Sequence, residues 1–195
     1  MSLTLITEPA AEPITLTEAK LHLRVDHSTD DDLITALIAS ARQKAEHLTG
    51  RALISQTWER VLDAFPPVSI ELGKAPVASI TSVTYTNTAG TDVVMDSADY
   101  TLDAITDEGR GWLLPSASLS VWPTTYDTVN AVRVRFVAGF GASGASVPEI
   151  IRQFMLLEIG TLYKMRETIV AGVSISELPG GFHERLLDPY RNWAV

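Results

Sequence analysis

The hydrophobic period of this chain changes twice, and that change limits its possible folds more than any single motif does. Apolar residues first recur three and four apart, as Leu33, Ile34, Leu37, Ile38, Ala41, Ala45 and Leu48, which is one face of a helix. From about Ser55 the period falls to two: Trp58, Arg60 and Leu62 alternate with Thr57, Glu59 and Val61. Val132, Val134 and Phe136 later alternate with Arg133 and Arg135 in the same way. Such strands have one wet face and belong to antiparallel sheets, because strands buried on both sides read as unbroken apolar runs. The helical period returns with Ile150, Ile151, Phe154, Met155, Leu157 and Leu162, a face broad enough to predict burial on more than one side. The expected fold class is α+β, with a helical core built from residues 1–51 and 146–195 and an antiparallel β subdomain inserted at 52–145.

Local signals set the element ends. Thr15 followed by Glu18 makes a capping box for a short helix over about residues 16–24. Thr29 is expected to cap the second helix, with Asp30, Asp31 and Asp32 in its first turn complementing the dipole and Gly50 closing it. Arg42 and Glu46 form an i,i+4 pair on that helix. Ser146 and Pro148 read as the start of the third long helix, and a short helix is expected around His183 to Leu187, stopped by Pro189. Further strands are expected in "VSIEL", "VASITSVTYTNTAGTDVVM", "DYTLD" and "GWLL", and the rest of 103–127 reads as irregular.

Composition narrows the function classes. Fifteen Lys and Arg against 24 Asp and Glu give a net charge of −9, with ten acidic and five basic residues in 52–148. No basic face for gripping a nucleic-acid backbone is visible, and the acidity reads first as a solubilising charge, with a surface that DNA passes without sticking as the sharper reading. The absence of cysteine removes disulfides, thiolate nucleophiles and thiolate metal sites. No apolar run is long enough to cross a bilayer, and "MSLTLITEPAAEP" lacks the basic and apolar regions of a secretory signal; the expectation is a chain neither membrane-embedded nor secreted by that route.

Gly139, Gly141 and Gly144 spell G-x-G-x-x-G between a strand and a helix, so a dinucleotide site has to be weighed. The preceding strand is amphipathic, the helix signals begin only at Ser146 to Pro148, and Glu158, at the distance where the ribose-binding acid would stand, is mid-helix. The loop therefore reads as a hinge returning the chain from sheet to helix. His22, His27, His47 and His183 lack metal-ligand spacing, and no serine is marked as a nucleophile. No catalytic residue, cofactor or metal is expected. Near the end, Leu186, Leu187, Tyr190 and Trp193 follow a Pro-Gly-Gly break. They read either as anchors that dock into a partner's groove or as a tail folded on its own core.

The stretches "PITLTEAKLHLRVDHSTDDDLITALIASARQKAEHLTGRALISQTWE", "APVASITSVTYTNTAGT", "VPEIIRQFMLLEIGTLYKMRE" and "LLDPYR", in that order, resemble the head–tail connector (adaptor) proteins of long-tailed bacteriophages and related gene transfer agents. The resemblance implies a helical connector core with a β insertion. It also implies a structural, non-enzymatic ring oligomer such as a dodecamer, placed beneath the portal in the virion and assembled in the bacterial host cytoplasm. The implied partners are the portal protein, a head-closure (stopper) or tail protein, copies of itself, and double-stranded DNA passing through the channel, with no membrane. On the same resemblance the portal-docking element is the tail with Leu186, Leu187, Tyr190 and Trp193, and Gly139, Gly141 and Gly144 form the hinge where the insertion rejoins the core. Two alternatives stand beside it: a nucleotide-binding enzyme using the Gly139–Gly144 loop, and a capsid decoration or tail-completion protein.

Overall fold

A computed structural model describes residues 2–104, 111–165 and 183–192. The chain divides into a sheet unit, residues 1–10 and 55–140, and a helical unit, residues 11–54 and 141–195.

In the helical unit, α1 (Leu16–Leu23) starts on the expected capping box, with the Glu18 amide donating to the Thr15 hydroxyl at 3.2 Å and the Thr15 amide donating to the Glu18 carboxylate at 2.8 Å. Helix α2 (Asp31–Thr49) buries Ile34, Ile38, Ala41, Ala45 and Thr49 and ends at Gly50 in the left-handed conformation. Its two buried alanines let a neighbouring helix close in, and α3 (Glu149–Lys164) packs there. Helix α3 buries Ile151, Phe154, Met155, Glu158 and Ile159, whereas Ile150 is exposed, so its buried face is narrower than its composition suggested. A 3₁₀ segment, Glu184–Tyr190, follows and contains Pro189, the residue expected to stop it.

Two helix starts differ from the sequence expectation. The N-cap position of α2 is Asp30, not Thr29, and it makes no capping bond. Its carboxylate instead accepts from the Tyr163 hydroxyl of α3, and Asp31 pairs with Lys20 of α1 at 2.6 Å. The acidic run therefore ties α2 to both other helices besides facing the dipole. Ser146 lies in a 3₁₀ turn, Gly144–Ser146, and α3 begins after Pro148.

The sheet unit holds a five-stranded antiparallel sheet of β1 (Ser2–Thr7), β2 (Gln56–Leu62), β4 (Val77–Thr86), β5 (Asp92–Val94) and β8 (Val132–Ala138), in the order β1-β2-β8-β4-β5. A three-stranded sheet in the order β3-β7-β6 is formed by β3 (Ile70–Glu71), β6 (Tyr100–Asp103) and β7 (Trp112–Pro115). Strand β8 shows the alternation read from its sequence: Val132, Val134, Phe136 and Ala138 are buried and Arg135 is exposed. On the wet face Arg135 pairs with Glu59 at 2.8 Å and Arg133 pairs with Asp92. Ile70, Leu72, Val83 and Leu113 are also buried in the interior of this unit.

The observed division places the first ten residues with the sheet, whereas the sequence reading put all of 1–51 in the helical core. Strand β1 pairs with β2, Leu5 opposite Trp58 and Leu3 opposite Arg60. Its six residues are half Ser and Thr and its partner lies some fifty positions away, so no local signal marks it as part of that sheet.

Candidate functional site

Three places in the structure bear on function: the glycine loop, the seat of the C-terminal segment, and the surfaces of the two units. The loop lies where the chain passes from the sheet unit to the helical unit, between Phe140 and Gly141. Strand β8 before it is the central strand of an antiparallel sheet, flanked by β2 and β4, so among the described residues it takes part in no parallel βαβ crossover. Gly144 faces the carbonyl of Pro13: a Cβ there would meet that oxygen at 2.4 Å. The same carbonyl accepts from Arg152 Nε at 3.2 Å, and Arg152 also binds Glu18 and, at 2.7 Å, Glu149. The loop is thus packed against an acceptor oxygen beside a saturated arginine, and α3 starts five residues later. A phosphate needs converging N–H groups at a helix start, and this arrangement does not supply them. The nucleotide-enzyme alternative is not favoured.

The C-terminal segment is seated within the helical unit. Leu187 is fully buried. The Arg51 Nε donates to the Tyr190 carbonyl at 2.7 Å, and the Asn192 amide donates to the Thr49 carbonyl at 2.9 Å, joining the segment to the end of α2. At its other end the buried carboxylate of Glu158 lies 3.0 Å from Lys44 Nζ and 3.3 Å from His183 Nε2, and Lys44 reaches Glu184 at 3.6 Å. The His183 ring stacks on Phe154 with centroids 5.7 Å apart. Of the four anchors named from sequence, Leu187 is consumed by the unit's own core, Leu186 and Tyr190 are half-buried, and Trp193 lies outside the described residues.

Sequence reasoning weighed Glu158 only as a ribose-binding acid and missed its burial, which follows from its place on the inward face of α3 opposite Lys44. It also missed the pairing of Phe65 with Trp122, separated by more than fifty residues, whose rings stack 4.8 Å apart. Among the described residues no cluster of three His, Asp or Glu could hold a metal ion, and no helix is long and apolar enough to cross a membrane.

The chain thus combines a helical unit with an antiparallel sheet unit. A family model described as phage gp6-like head-tail connector protein matches residues 13–105, from the approach to α1 through β6. The fold extends the likeness to the whole chain. A chain from the virion of a native gene transfer agent particle matches with a TM-score of 0.81 at 24% identity, covering 100% of this chain and 97% of that one. Chains from the neck of the empty particle, with six-fold symmetry, and from the neck of the native particle, with twelve-fold symmetry, match at 0.80 and 0.78 with the same identity and coverage. No curated protein sequence matches. The resemblance to head–tail connectors read from the sequence is therefore borne out, by the family model over residues 13–105 and by the likeness in fold over the whole chain.

Proposed function

We propose that this protein is a structural head–tail connector: a ring component beneath the portal of a phage or phage-like particle that continues the DNA channel and receives the head-closure or tail protein. The observation that carries this reading is the coincidence of a connector family match over residues 13–105 with a full-length likeness in fold to a chain of gene transfer agent necks. The twelve-fold symmetry of one such neck supports a dodecameric ring, whose head-to-tail contacts join two different patches of each subunit. The net charge of −9 suits a channel wall, since an acidic surface repels the phosphate backbone and does not retain it. In this reading the chain performs no catalysis and works in the particle, after assembly in the host cytoplasm.

Two regional roles belong to the same proposal. The segment from His183 onward faces the portal, with Leu186 and Tyr190 as its accessible anchors because Leu187 is committed to the core. The Gly139–Gly144 loop is the hinge where the chain returns from the β insertion to the helical core, its last glycine packed on the Pro13 carbonyl.

The test is deletion of the gene in a producing strain, followed by electron microscopy of the particles. DNA-filled heads without tails, restored by the wild-type gene, are expected. Normal tailed particles in the deletion strain would overturn the proposal.

A further inference from the structure

The loops 63–69 and 116–130 of the sheet unit bring aromatic, prolyl and valyl side chains to the surface beside a cleft. Phe65 stacks on Trp122 almost in parallel, at 6°, and Tyr85 meets the edge of Phe65 at 5.6 Å. Pro66, Pro67, Val121 and Pro123 line a cleft of about 340 Å³ around this pair, and Thr124 and Thr125 give it a polar side. Val68 and Val121 are each 67% exposed and Val129 is 74% exposed, an unusual concentration of solvated apolar side chains.

The surface is built, not incidental. The Trp122 indole N–H donates to the Val68 carbonyl at 3.1 Å, which fixes the indole and joins one loop to the other. The Asn130 amide donates to the Asp63 carboxylate at 2.9 Å as a second tie. Prolines on both sides stiffen the rim, so little conformational entropy remains to be lost on binding. Aromatic rings edged by proline are suited to an extended segment whose apolar or prolyl side chain drops between them.

Charge selects the occupant. The two loops contain Asp63 and Asp127 and no Lys or Arg, and the nearby Arg133 is engaged by Asp92. A phosphate backbone would meet only negative charge here, which disfavours nucleic acid despite the exposed rings. A cationic flank on a protein segment would be complementary.

We infer that the Phe65–Trp122 cleft is the docking site for an extended segment of another neck protein, carrying an apolar or prolyl anchor flanked by lysine or arginine. This deepens the connector reading and rests on it.

The experiment replaces the wild-type gene in a producing strain with Val68→Asp/Val121→Asp, and separately with Asp127→Lys; these side chains are exposed, and unchanged thermal melting of the purified proteins verifies folding. Both variants are expected to enter heads at wild-type copy number. Tailed particles should fall about tenfold or more in the double variant and several-fold in Asp127→Lys. A wild-type yield of tailed particles from the double variant overturns the docking site and leaves the connector reading standing. A wild-type yield from Asp127→Lys alone overturns the cationic flank. Absence of the wild-type chain from heads overturns the connector reading and this site with it. Retention of a 30-bp DNA duplex by the wild-type protein but not by the double variant would also overturn the inference, in favour of nucleic acid.

Discussion

The Glu158 carboxylate, with only 7% of its side chain exposed, lies 3.0 Å from the ammonium of Lys44, a residue 114 positions earlier in the chain. This pair links α2 to α3, and through His183 and Glu184 it also holds the start of the C-terminal segment. Removing one partner of a fully buried pair costs about 3–5 kcal/mol, but Lys44 is 37% exposed and can be rehydrated. Glu158→Ala is therefore expected to lower stability by about 1–2 kcal/mol in urea unfolding. In a double-mutant cycle with Lys44→Met the coupling should be about 1 kcal/mol. A coupling near zero would mean that the pair does not hold the helices together.

Gly144 makes a second prediction. Its missing side chain leaves room for the Pro13 carbonyl, and backbone cannot swing aside as a flexible side chain could. Gly144→Ala should cost about 2–3 kcal/mol. Gly90→Ala is the comparison: its φ of 79° strains any side chain, but nothing lies within 4 Å, so about 1 kcal/mol is expected. Equal losses in the two variants would show that the loop tolerates a methyl group and is not closely packed.

These two sites show what sequence could and could not reveal. The capping box at Thr15, the stop at Gly50 and the alternation of β8 were legible because each depends on residues a few positions apart. The tight fit of Gly144 on Pro13 was not, because the same three glycines fit a hinge, a phosphate cradle or a packed turn until the distant partner is known. Strand β1 and the Phe65–Trp122 stack failed to show for the same reason. The connector resemblance was legible from the order of several stretches, whereas the Phe65–Trp122 cleft was not, because its two rings meet only in three dimensions.

Glu18 supplies a pH dependence. Hydrogen bonds from the Thr15 amide and hydroxyl, and then the Arg152 guanidinium, hold its carboxyl below the ordinary value of 4.5. The unfolded chain binds that proton more readily than the folded one, so the contribution is complete above the unfolded value and is lost as pH falls through the folded one. With the side chain 41% exposed, solvent screening limits the effect to about 0.5–1 kcal/mol. Glu18→Gln should lower stability at neutral pH by that amount and flatten the decline below pH 4.5. An unchanged acid limb in chemical unfolding at stepped pH would show that the capping box does not set it.

The last prediction separates the two readings of the C-terminal segment. If residues 183–192 only await a partner, truncating their apolar side chains should leave the isolated protein as stable as before. Leu187 is fully buried, however, and Arg51 and Thr49 hold the backbone just after Pro189, at Tyr190 and Asn192, to the end of α2. Leu187→Ala should therefore destabilise the helical unit by about 2–4 kcal/mol. Leu21→Ala, on a leucine 80% exposed in α1, should change stability by less than about 0.5 kcal/mol. Removing the whole segment would combine the loss of the proposed docking element with damage to the core, so the proposed portal contact is better probed at Tyr190, whose carbonyl is held by Arg51 independently of its ring. Tyr190→Ala is expected to melt within a few degrees of wild type while reducing the copies bound to portal-bearing heads. Wild-type stability in Leu187→Ala would return the segment to the status of an undocked tail.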